Sequence, residues 1–546
     1  MLKEKLAALN LEGEIQDDAQ TLDKYSHDAS LFEVRPQVVV FPKNVEDIKK
    51  LVNFCREARN NGEKISLGPR SAGTDMSGGP LTESIVLDFM AHFNHVLEVG
   101  EGYAVTEPGV YYRDFEPKTL EKGWQLPTYP ASRDLCAIGG IVSNNSAGEK
   151  TLTYGKTEDY VEELRMVLED GNEYVIKPLN EAELKQKSIQ KNFEGEFYSK
   201  LWKLIQDNYE MIMQAKPPVS KNSAGYYLWN VWDSEKKVFN LCKLMVGSQG
   251  TLGIVTRVKF RLVRPAKESK MLVIFMNGLD NLAEIVNIVL AHKPESFESY
   301  DDKTLKLAIR FFPEMLKRMK ANIFKLGIEF LPEVGMVLSG GLPKLVLMAE
   351  FAGNDLDEIS KRAEQARTEL GKFKLKMKIY SKAESEKYWT IRRESFSLLR
   401  NHVHGTRTAP FIDDIIVRPE FLPEFLPKLN KILSQYNLVY TIAGHVGNGN
   451  FHIIPLMDFK KPETKEIIEK LSEEVYPLVA SYHGSITAEH NDGLIRTPFL
   501  RLMFRPEVLQ LFEQVKKIFD PAGIFNPGKK VDASWQYALD HIVKTS

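Results

Sequence analysis

Cysteines, an excess of one charge and long apolar runs are all scarce in this sequence. Its 546 residues include three cysteines, Cys55, Cys136 and Cys242, and these lie far apart. Such spacing excludes a disulfide framework, and it excludes an iron–sulfur cluster or thiolate zinc site built from this chain alone. The 72 basic and 74 acidic side chains leave a net charge of −2. No basic field therefore favours nucleic acid as a partner.

The sequence has no apolar run long enough to span a membrane, and its start lacks the hydrophobic core of a signal peptide. We therefore expect a soluble, cytoplasmic protein. The composition, 43% hydrophobic and 27% charged residues, is typical of globular proteins. At roughly 150 residues per domain, the length predicts two to four structural units.

Three segments rich in glycine and small polar residues lie in the first half of the chain. The first, residues 68–79, separates predicted strands at 64–67 and 84–88. The second, 139–148, and the third, 247–253, are each predicted to lie at a strand end. Rossmann and Walker loops lead into a helix, so the first segment fits neither pattern. One glycine turn is usually only a turn, but three suggest a pyrophosphate and its sugars held by turn amides.

Beyond about residue 267 the pattern changes to strands that alternate with longer helices. Strands are predicted at 271–276, 345–351, 373–380, 411–417, 439–443 and 451–455, and helices at 279–292 and 355–370. This order predicts an α+β domain whose helices cover one face of an antiparallel sheet.

Taken together, the motifs resemble the FAD-linked oxidase superfamily of the vanillyl-alcohol-oxidase or PCMH type. The residues that carry the resemblance are 69–75, 137–140 with 144–148, 247–254, and 520–529. Within the superfamily, the chain is most similar to flavin dehydrogenases of D-2-hydroxy acids, which include D-lactate dehydrogenase, the glycolate oxidase flavoprotein subunit and D-2-hydroxyglutarate dehydrogenase.

The resemblance implies an α+β fold with a PCMH-type FAD-binding domain of two α+β subdomains and an α+β cap domain. We predict a lead-in at 1–31, the FAD-binding domain at 32–267 and the substrate or cap domain at 268–480. Residues 481–546 are expected to return to the FAD-binding domain.

The resemblance also implies which residues bind FAD. Those expected around the pyrophosphate are Arg70, Ser71, Ala72, Gly73, Thr74, Asp75 and Met76. Those expected along the flavin are Pro130, Ser132, Gly139, Gly140, Ser143, Asn144 and Gly148, with Asn526 near the isoalloxazine ring. Gly253, Ile254 and Val255 are expected at the adenine half. The first loop lacks the histidine of covalently flavinylated relatives, so the FAD should be non-covalent; Gln249 replaces a glutamate common in relatives.

A second group of residues indicates metal chemistry. His445 and His452 flank a glycine-rich turn, and Glu489 precedes His490. Two histidines and a carboxylate can form a catalytic divalent-metal site, although histidines that bind their own turns are an equal alternative from residue types alone. The resemblance favours metal ligation by His445, His452 and Glu489, with zinc expected and manganese or iron as alternatives. It makes His490 the general base.

The resemblance makes Arg392 the partner of the substrate carboxylate, with a surface ion pair to Glu394 as the alternative. Ile412 stands where hydroxyglutarate enzymes carry a lysine, which favours a small monocarboxylate such as lactate or glycolate, unless Arg407 or Arg418 compensates. His402 and His404 are a minor alternative pair of metal ligands.

The expected function is oxidation of a D-lactate-like hydroxy acid, with electrons passed to a separate acceptor. That acceptor would be an iron–sulfur subunit, an electron-transfer flavoprotein or a quinone. The basic, amphipathic segment 303–326 is a candidate for partner contact or for peripheral contact with the inner face of the membrane; a cap helix pair with a solvated face is the alternative. The other functions considered are an electron-transfer subunit without its own substrate and a transferase like the alkylglycerone-phosphate synthases.

Overall fold

The computed structural model describes residues 2–310, 342–402 and 405–544, and it describes side chains at 2–306, 342–392 and 405–544. Within these ranges the chain is an α+β protein. Its strands are β1 (Glu14–Gln16), β2 (Val38–Phe41), β3 (Leu67–Arg70), β4 (Ile85–Asp88), β5 (Val96–Val99), β6 (Tyr103–Thr106), β7 (Val161–Val167), β8 (Glu173–Ile176), β9 (Pro178–Asn180), β10 (Trp232–Asp233), β11 (Val238–Asn240), β12 (Ile254–Arg261), β13 (Glu268–Met276), β14 (Ser296–Asp301), β15 (Leu345–Gly353), β16 (Lys376–Ser381), β17 (Arg407–Thr408), β18 (Ile415–Ile416), β19 (Val439–His445) and β20 (Asn450–Met457).

The described helices are α1 (Leu2–Ala7), α2 (Ala19–Tyr25), α3 (Val45–Asn60), α4 (Tyr112–Leu120), α5 (Ile138–Asn144), α6 (Thr151–Tyr154), α7 (Glu181–Ser188), α8 (Phe193–Asp207), α9 (Tyr209–Ala215), α10 (Cys242–Met245), α11 (Leu282–Ala291), α12 (Asp302–Arg310), α13 (Leu356–Glu369), α14 (Lys382–His402), α15 (Leu422–Leu433), α16 (Glu463–Ser481), α17 (Gly493–Arg496), α18 (Pro506–Phe519) and α19 (Trp535–Asp540). Among them, none is long and apolar enough to cross a membrane.

The first half of the chain forms three small sheets. Strands β1, β2, β4 and β3 lie side by side in that order, and β2, β4 and β3 are parallel. Strands β5, β6, β12, β7 and β8 form an antiparallel sheet, and β10, β11 and β9 form another. The lead-in takes part in the fold because β1 pairs with β2.

The second half of the chain forms one eight-stranded antiparallel sheet. Its order is β16, β13, β15, β14, β19, β20 and β17, with β18 also paired to β20. Sheet membership changes between β12, which ends at Arg261, and β13, which begins at Glu268. This change brackets the predicted boundary at 267, and the proposed four-part division remains a prediction.

Helices cover both faces of the large sheet, so the expectation of one covered face is wrong. On β13, Leu272 and Ile274 pack in the same hydrophobic cluster as Ile285 of α11, whereas Met271 and Val273 pack with α14. Successive strand residues point to opposite faces. Because both sets on β13 are apolar, both faces require a cover.

Two local predictions are also wrong. The second glycine segment is helix α5 rather than a turn at a strand end. Only glycine fits at position 139 of this helix, because a Cβ there would lie 2.4 Å from the Ser71 hydroxyl oxygen and 2.9 Å from Pro108 Cβ. The predicted strand at 411–417 shrinks to β18, because Asp414 has a left-handed φ of 65° that interrupts extended backbone.

The first glycine segment joins β3 to β4 without a helix, as predicted, but β3 begins at Leu67 rather than at residue 64. The C-terminal residues account for this start. The Leu67 N–H donates to the Ile524 carbonyl (2.8 Å), and the Asn526 N–H donates to the Leu67 carbonyl (2.9 Å). The C-terminal segment thus extends the first sheet beside the glycine loop.

The two halves meet at a cluster of buried acids that should make stability depend on pH. Lys150 Nζ lies 3.2 Å from a Glu295 carboxylate oxygen, and Ser269 Oγ donates to Glu350 (2.8 Å). Burial raises the pKa of Glu350 to about 7, and the charges of Glu295 and Glu149 add to this effect against the Ser269 hydrogen bond.

Glu350→Gln should become more stabilising as the pH rises. A folded-state pKa above the unfolded value means that the folded protein holds a proton that the unfolded chain has lost. The wild type therefore loses stability between about pH 4.5 and 7. We expect the variant to gain about 3 kcal/mol over the wild type at pH 8 and almost nothing near pH 4.5. Unfolding midpoints across this range measure the effect; an equal gain from the exposed Glu268→Gln would contradict it.

Candidate active site

A cavity of about 630 Å³ lies where the first-half sheets meet the large sheet. The predicted FAD-binding residues that line it are Arg70, Ser71, Ala72, Gly73, Thr74, Asp75, Met76, Pro130, Ser132, Gly139, Gly140, Ser143, Asn144, Gly253 and Val255. The predicted metal and catalytic residues that line it are Arg392, His445, His452, Glu489 and His490. Two sets of residues predicted separately thus share one space.

Three predicted FAD-binding residues do not line the cavity. Gly148 packs so closely that a Cβ would lie 2.2 Å from the Tyr129 carbonyl oxygen. Ile254 is fully buried in a hydrophobic core. Asn526 donates from Nδ2 to the carbonyls of Gly79 and Gln249, both at 2.8 Å. Asn526 therefore joins two cavity-lining loops from behind.

The Asp75 carboxylate organises the first glycine loop. Its Oδ2 accepts hydrogen bonds from the Ser77 N–H (2.9 Å), the Ser77 hydroxyl (2.8 Å) and the Gly79 N–H (2.7 Å). Its Oδ1 accepts from Asn144 Nδ2 (2.9 Å), which joins the loop to the end of α5. The loop and the second glycine segment are thereby fixed relative to each other.

Arg70 joins the same loop to the lead-in. Its guanidinium donates to the carbonyls of Tyr25 (3.2 Å) and His27 (2.6 Å). The Ala29 N–H donates to the Asp75 carbonyl (2.9 Å). The lead-in therefore lies against the loop expected to carry the pyrophosphate.

The cavity has the features that a dinucleotide requires. Gly140 lines it, and a Cβ at that position would meet no atom within 4 Å. Gly253, which also lines it, has a φ of 151°, a conformation that other residues rarely adopt. Small residues with accessible backbone amides suit a phosphate-bearing ligand. The described residues thus fit FAD.

Strand register brings the two predicted histidine ligands together. Ala443 of β19 lies opposite His452 of β20, and His445 lies opposite Asn450. Residues two apart on a strand share a face, so His445 and His452 project on the same side of the sheet. Their ring centroids are 5.3 Å apart, and those of His452 and His490 are 5.1 Å apart.

Each of the three imidazoles has a buried carboxylate beside Nδ1. Glu298 Oε1 lies 2.5 Å from His445 Nδ1. The two oxygens of Asp413 lie 3.1 Å from His452 Nδ1 and 2.8 Å from His490 Nδ1. The His445 and His452 contacts are hydrogen bonds, which fix the tautomers of these rings and leave Nε2 for a metal or a substrate, whereas the His490 contact is an ion pair. This arrangement favours a functional cluster over histidines that bind their own turns.

Asp414 holds the segment that carries Glu489 and His490. Its Oδ2 accepts from the Thr487 hydroxyl (2.8 Å) and from the N–H groups of Ala488 (2.9 Å), Glu489 (2.8 Å) and His490 (2.7 Å). Its Oδ1 accepts from Asn450 (3.2 Å). With both oxygens occupied in this way, Asp414 acts as an anchor for the site.

The described residues offer enough ligands for a cation. Asp414, His452, Glu489 and His490 can each supply one ligand atom, and these four atoms lie within 4.8 Å of one another. Asp414 is committed to backbone donors, whereas His445 Nε2 lies 3.4 Å from Glu489 Oε1. This group shares His452 and Glu489 with the predicted set and contains His490 rather than His445, so the predicted set of His445, His452 and Glu489 stays a prediction.

Charge compensation shifts the pKa values of these groups. Burial opposes ionisation of Asp413, but His490 and His452 hold its pKa well below the usual value. Burial lowers the pKa of His490, but the charges of Asp414 and Asp413 outweigh burial and raise it to about 9. His490 is thus an imidazolium at neutral pH unless another cation lies beside it.

A second charge network connects the histidines to Arg392. Glu298 Oε2 lies 3.2 Å from Arg392 Nη2, and Glu489 Oε1 contacts Lys221 Nζ. Burial raises the pKa of Glu489, but Lys221 and His445 reverse this effect and hold its pKa well below the usual value. Arg392 is mostly buried and pairs with Glu298, so the structure does not support a role limited to a surface ion pair.

Several other sequence predictions either gain no support from the cavity or lie outside the described side chains. Ile412 is fully buried in the core of the large sheet and does not line the cavity, so the cavity gives no support to the substrate inference drawn from it. Arg418 pairs with Glu420 at the surface (3.2 Å). The alternative ligands His402 and His404, and most of segment 303–326, lie outside the described side chains.

Sequence reasoning missed four residues that build the site. Asp413 and Asp414 carried a usable signal, since two adjacent acids interrupt the apolar run of residues 411–416. Buried charges in such a run are rarely tolerated without partners. Glu298 and Lys221 gave no comparable signal, because isolated charged residues are common on surfaces.

Comparison with known proteins identifies the family. Residues 36–177 match the FAD binding domain, and residues 265–530 match the C-terminal domain of FAD linked oxidases. The chain therefore belongs to the FAD-linked oxidases, a family of FAD-dependent oxidoreductases. This confirms the family resemblance, and the fold class is confirmed by the structural comparison below.

D-2-hydroxyglutarate dehydrogenase of Pseudomonas putida is 27% identical over 534 residues, which are 96% of this chain and 51% of that protein. The chain thus spans about half the length of that relative. Glycolate oxidase subunit GlcD of Bacillus subtilis is 26% identical over 518 residues, covering 92% of this chain and 91% of that protein. The solved structure of p-cresol methylhydroxylase with substrate bound has a TM-score of 0.67 at 15% identity, covering 97% of this chain and 96% of that one, and shows the shared fold.

Gly140→Val should abolish FAD retention while leaving the fold intact. The added side chain enters open cavity space, so it excludes the ligand without displacing protein atoms. We expect the purified variant to hold at least tenfold less FAD by absorbance and to keep the unfolding midpoint of the FAD-free wild type. Gly371→Val, also in open space but remote from the cavity, is the control. Full FAD content in Gly140→Val would contradict the assignment of this cavity.

Proposed function

We propose that this chain is an FAD-dependent dehydrogenase of a small D-2-hydroxy acid, with a divalent metal, zinc first, at His445, His452 and Glu489. The observation that carries the proposal is the pairing of three imidazoles with the carboxylates of Glu298 and Asp413 beside a cavity that fits FAD. Metal-binding histidines typically carry such a carboxylate on the second ring nitrogen.

When bound, FAD supplies a hydride acceptor at N5, and a divalent metal supplies a Lewis acid that lowers the pKa of the substrate hydroxyl. His490 is the base in this proposal: its Nε2 accepts the hydroxyl proton while Asp413 holds Nδ1. The substrate loses that proton and a hydride from Cα, which leaves a 2-oxo acid.

The raised pKa of His490 must be lowered by a nearby cation before this residue can act as the base. A histidine with a pKa of about 9 is protonated at neutral pH and accepts no further proton. A divalent cation among His445, His452 and Glu489 supplies nearby positive charge, which lowers that pKa and frees Nε2. The base and the cation are therefore required together.

Arg392 is the proposed partner of the substrate carboxylate. It lines the cavity, and Glu298 orients its guanidinium from the side that also holds His445. A planar guanidinium can bind a carboxylate through two donors. Substrate carboxylate, metal and base would then meet within one small volume.

Relatives named D-2-hydroxyglutarate dehydrogenase, glycolate oxidase subunit GlcD and D-lactate dehydrogenase support the proposed substrate class. A D-lactate-like substrate is proposed, with electrons passed to a separate acceptor such as an iron–sulfur subunit, an electron-transfer flavoprotein or a quinone. A pure electron-transfer subunit is less well supported, because it has no use for a cavity-facing base.

Anaerobic mixing with substrates tests the chemistry directly. We expect a D-2-hydroxy acid to bleach the flavin absorbance at about 450 nm, and we expect chelator treatment to abolish the bleaching and added Zn²⁺ to restore it. The panel contains D-lactate, L-lactate, glycolate and D-2-hydroxyglutarate. Bleaching that survives complete metal removal would contradict the proposed metal role, and no bleaching by any of the four would contradict the substrate class.

His490→Ala should slow flavin reduction by about 10²- to 10⁴-fold, because a general base contributes on that order. FAD and metal contents should stay at wild-type levels, since His490 is not a proposed ligand. Stopped-flow absorbance measures the rate, and His95→Ala, an exposed histidine paired with Glu107, is the control. Unchanged reduction in His490→Ala would refute the assigned base.

A further inference from the structure

Lys221 is a fully buried lysine beside the proposed metal site that the mechanism above does not use. Its Nζ contacts Glu489 Oε1, and its side chain is 0% exposed. It is not part of the cavity wall. The ammonium therefore contacts Glu489, which lines the cavity, without lining the cavity itself.

The backbone around Lys221 is fixed to the segment that carries Glu489. The Ser223 N–H donates to the Thr487 carbonyl (3.0 Å), and the Ser223 hydroxyl donates to the Ala488 carbonyl (2.8 Å). The Gly225 N–H donates to Asp492 Oδ2 (2.9 Å). These bonds leave the ammonium little freedom to move away from Glu489.

The oxygen that Lys221 contacts also belongs to the proposed ligand set. Glu489 Oε1 lies 3.4 Å from His445 Nε2. A cation bound through Glu489 must share this carboxylate with a fixed positive charge. Like charges repel strongly where water is excluded, because little solvent screens them.

We propose that Lys221 is a positioning residue that aims the Glu489 carboxylate and, as a fixed positive charge, weakens binding of the divalent metal. The inference rests on the proposed metal site. Without metal, the ammonium holds the carboxylate in its ligating position, so the site is formed in advance. With metal, it leaves the site more positive, which favours an anionic substrate.

Two neutral substitutions separate the charge from the hydrogen bond. Lys221→Gln removes the charge but keeps a donor for Glu489, whereas Lys221→Met removes both. Loss of the positive charge predicts tighter metal binding in both variants. Lys221→Met also loses the hydrogen bond that orients Glu489, so its gain in metal affinity should be smaller. A residue that only supported the fold would weaken metal binding when replaced.

The experiment titrates Zn²⁺ into FAD-loaded protein against a chromophoric chelator and measures the dissociation constant. We expect Lys221→Gln to bind Zn²⁺ at least tenfold more tightly than the wild type, and Lys221→Met to show a smaller gain. Lys529→Met is the matched control: Lys529 is also buried, but its Nζ donates to the Leu81 carbonyl and its charge acts on Asp28 and Glu83 rather than on Glu489. Its affinity for Zn²⁺ should stay within threefold of the wild type.

The outcomes distinguish this inference from the proposed function. A wild type that binds no Zn²⁺ overturns the metal site and the role of Lys221 together. A wild type that binds Zn²⁺, with Lys221→Gln unchanged or weaker, overturns the role of Lys221 alone. A similar gain in Lys529→Met would also overturn it. Flavin absorbance and unfolding midpoints show whether each variant is folded. If Lys221→Met does not fold, the Zn²⁺ affinity of Lys221→Gln alone decides the role of Lys221.

Discussion

The rest of the site depends on the contacts of the fully buried Asp413 carboxylate with two imidazoles. One oxygen hydrogen-bonds His452 and the other forms an ion pair with His490, so one side chain contacts both a proposed ligand and the proposed base. A buried carboxylate is stable only when cations or donors surround it. Arg496 contributes to its surroundings by donating to the Asp413 carbonyl (2.9 Å). The neighbouring strands and loops exclude water from this carboxylate and supply the groups that balance its charge.

The adjacent Asp414 has a different role, which is to accept hydrogen bonds from backbone N–H groups. Residues 487–490 have no strand partner for most of their N–H groups, and a single carboxylate oxygen accepts three of them. This requires Asp414 to adopt a left-handed backbone. Backbone conformations of this kind cost free energy and persist where the surroundings enforce them. Asp413 thus contacts the imidazole rings, whereas Asp414 holds the backbone of residues 487–490.

The sequence allowed prediction of the elements whose signals are local. The large antiparallel sheet, helices α11 and α13, the strand-to-strand glycine loop and the family followed from periodicity and motifs. Helix α5 was missed because Gly139 and Gly140 have low helix propensity, and tight packing against Ser71 outweighed it. The start of β3 was missed because Ile524 and Asn526, more than 450 residues away, determine it. Glu298 and Lys221 were missed because their roles depend entirely on long-range contacts.

The C-terminal return to the first sheet has a consequence for how the protein can be divided. The Lys516 ammonium donates to the carbonyls of Thr251 and Phe525 and pairs with Asp520, so the last helices fasten the third glycine segment. Residues at both chain ends therefore contribute to one half of the molecule, and the large sheet is inserted between them. The half that contains the smaller sheets is discontinuous in sequence, so no single cut separates it from the large sheet as an intact unit.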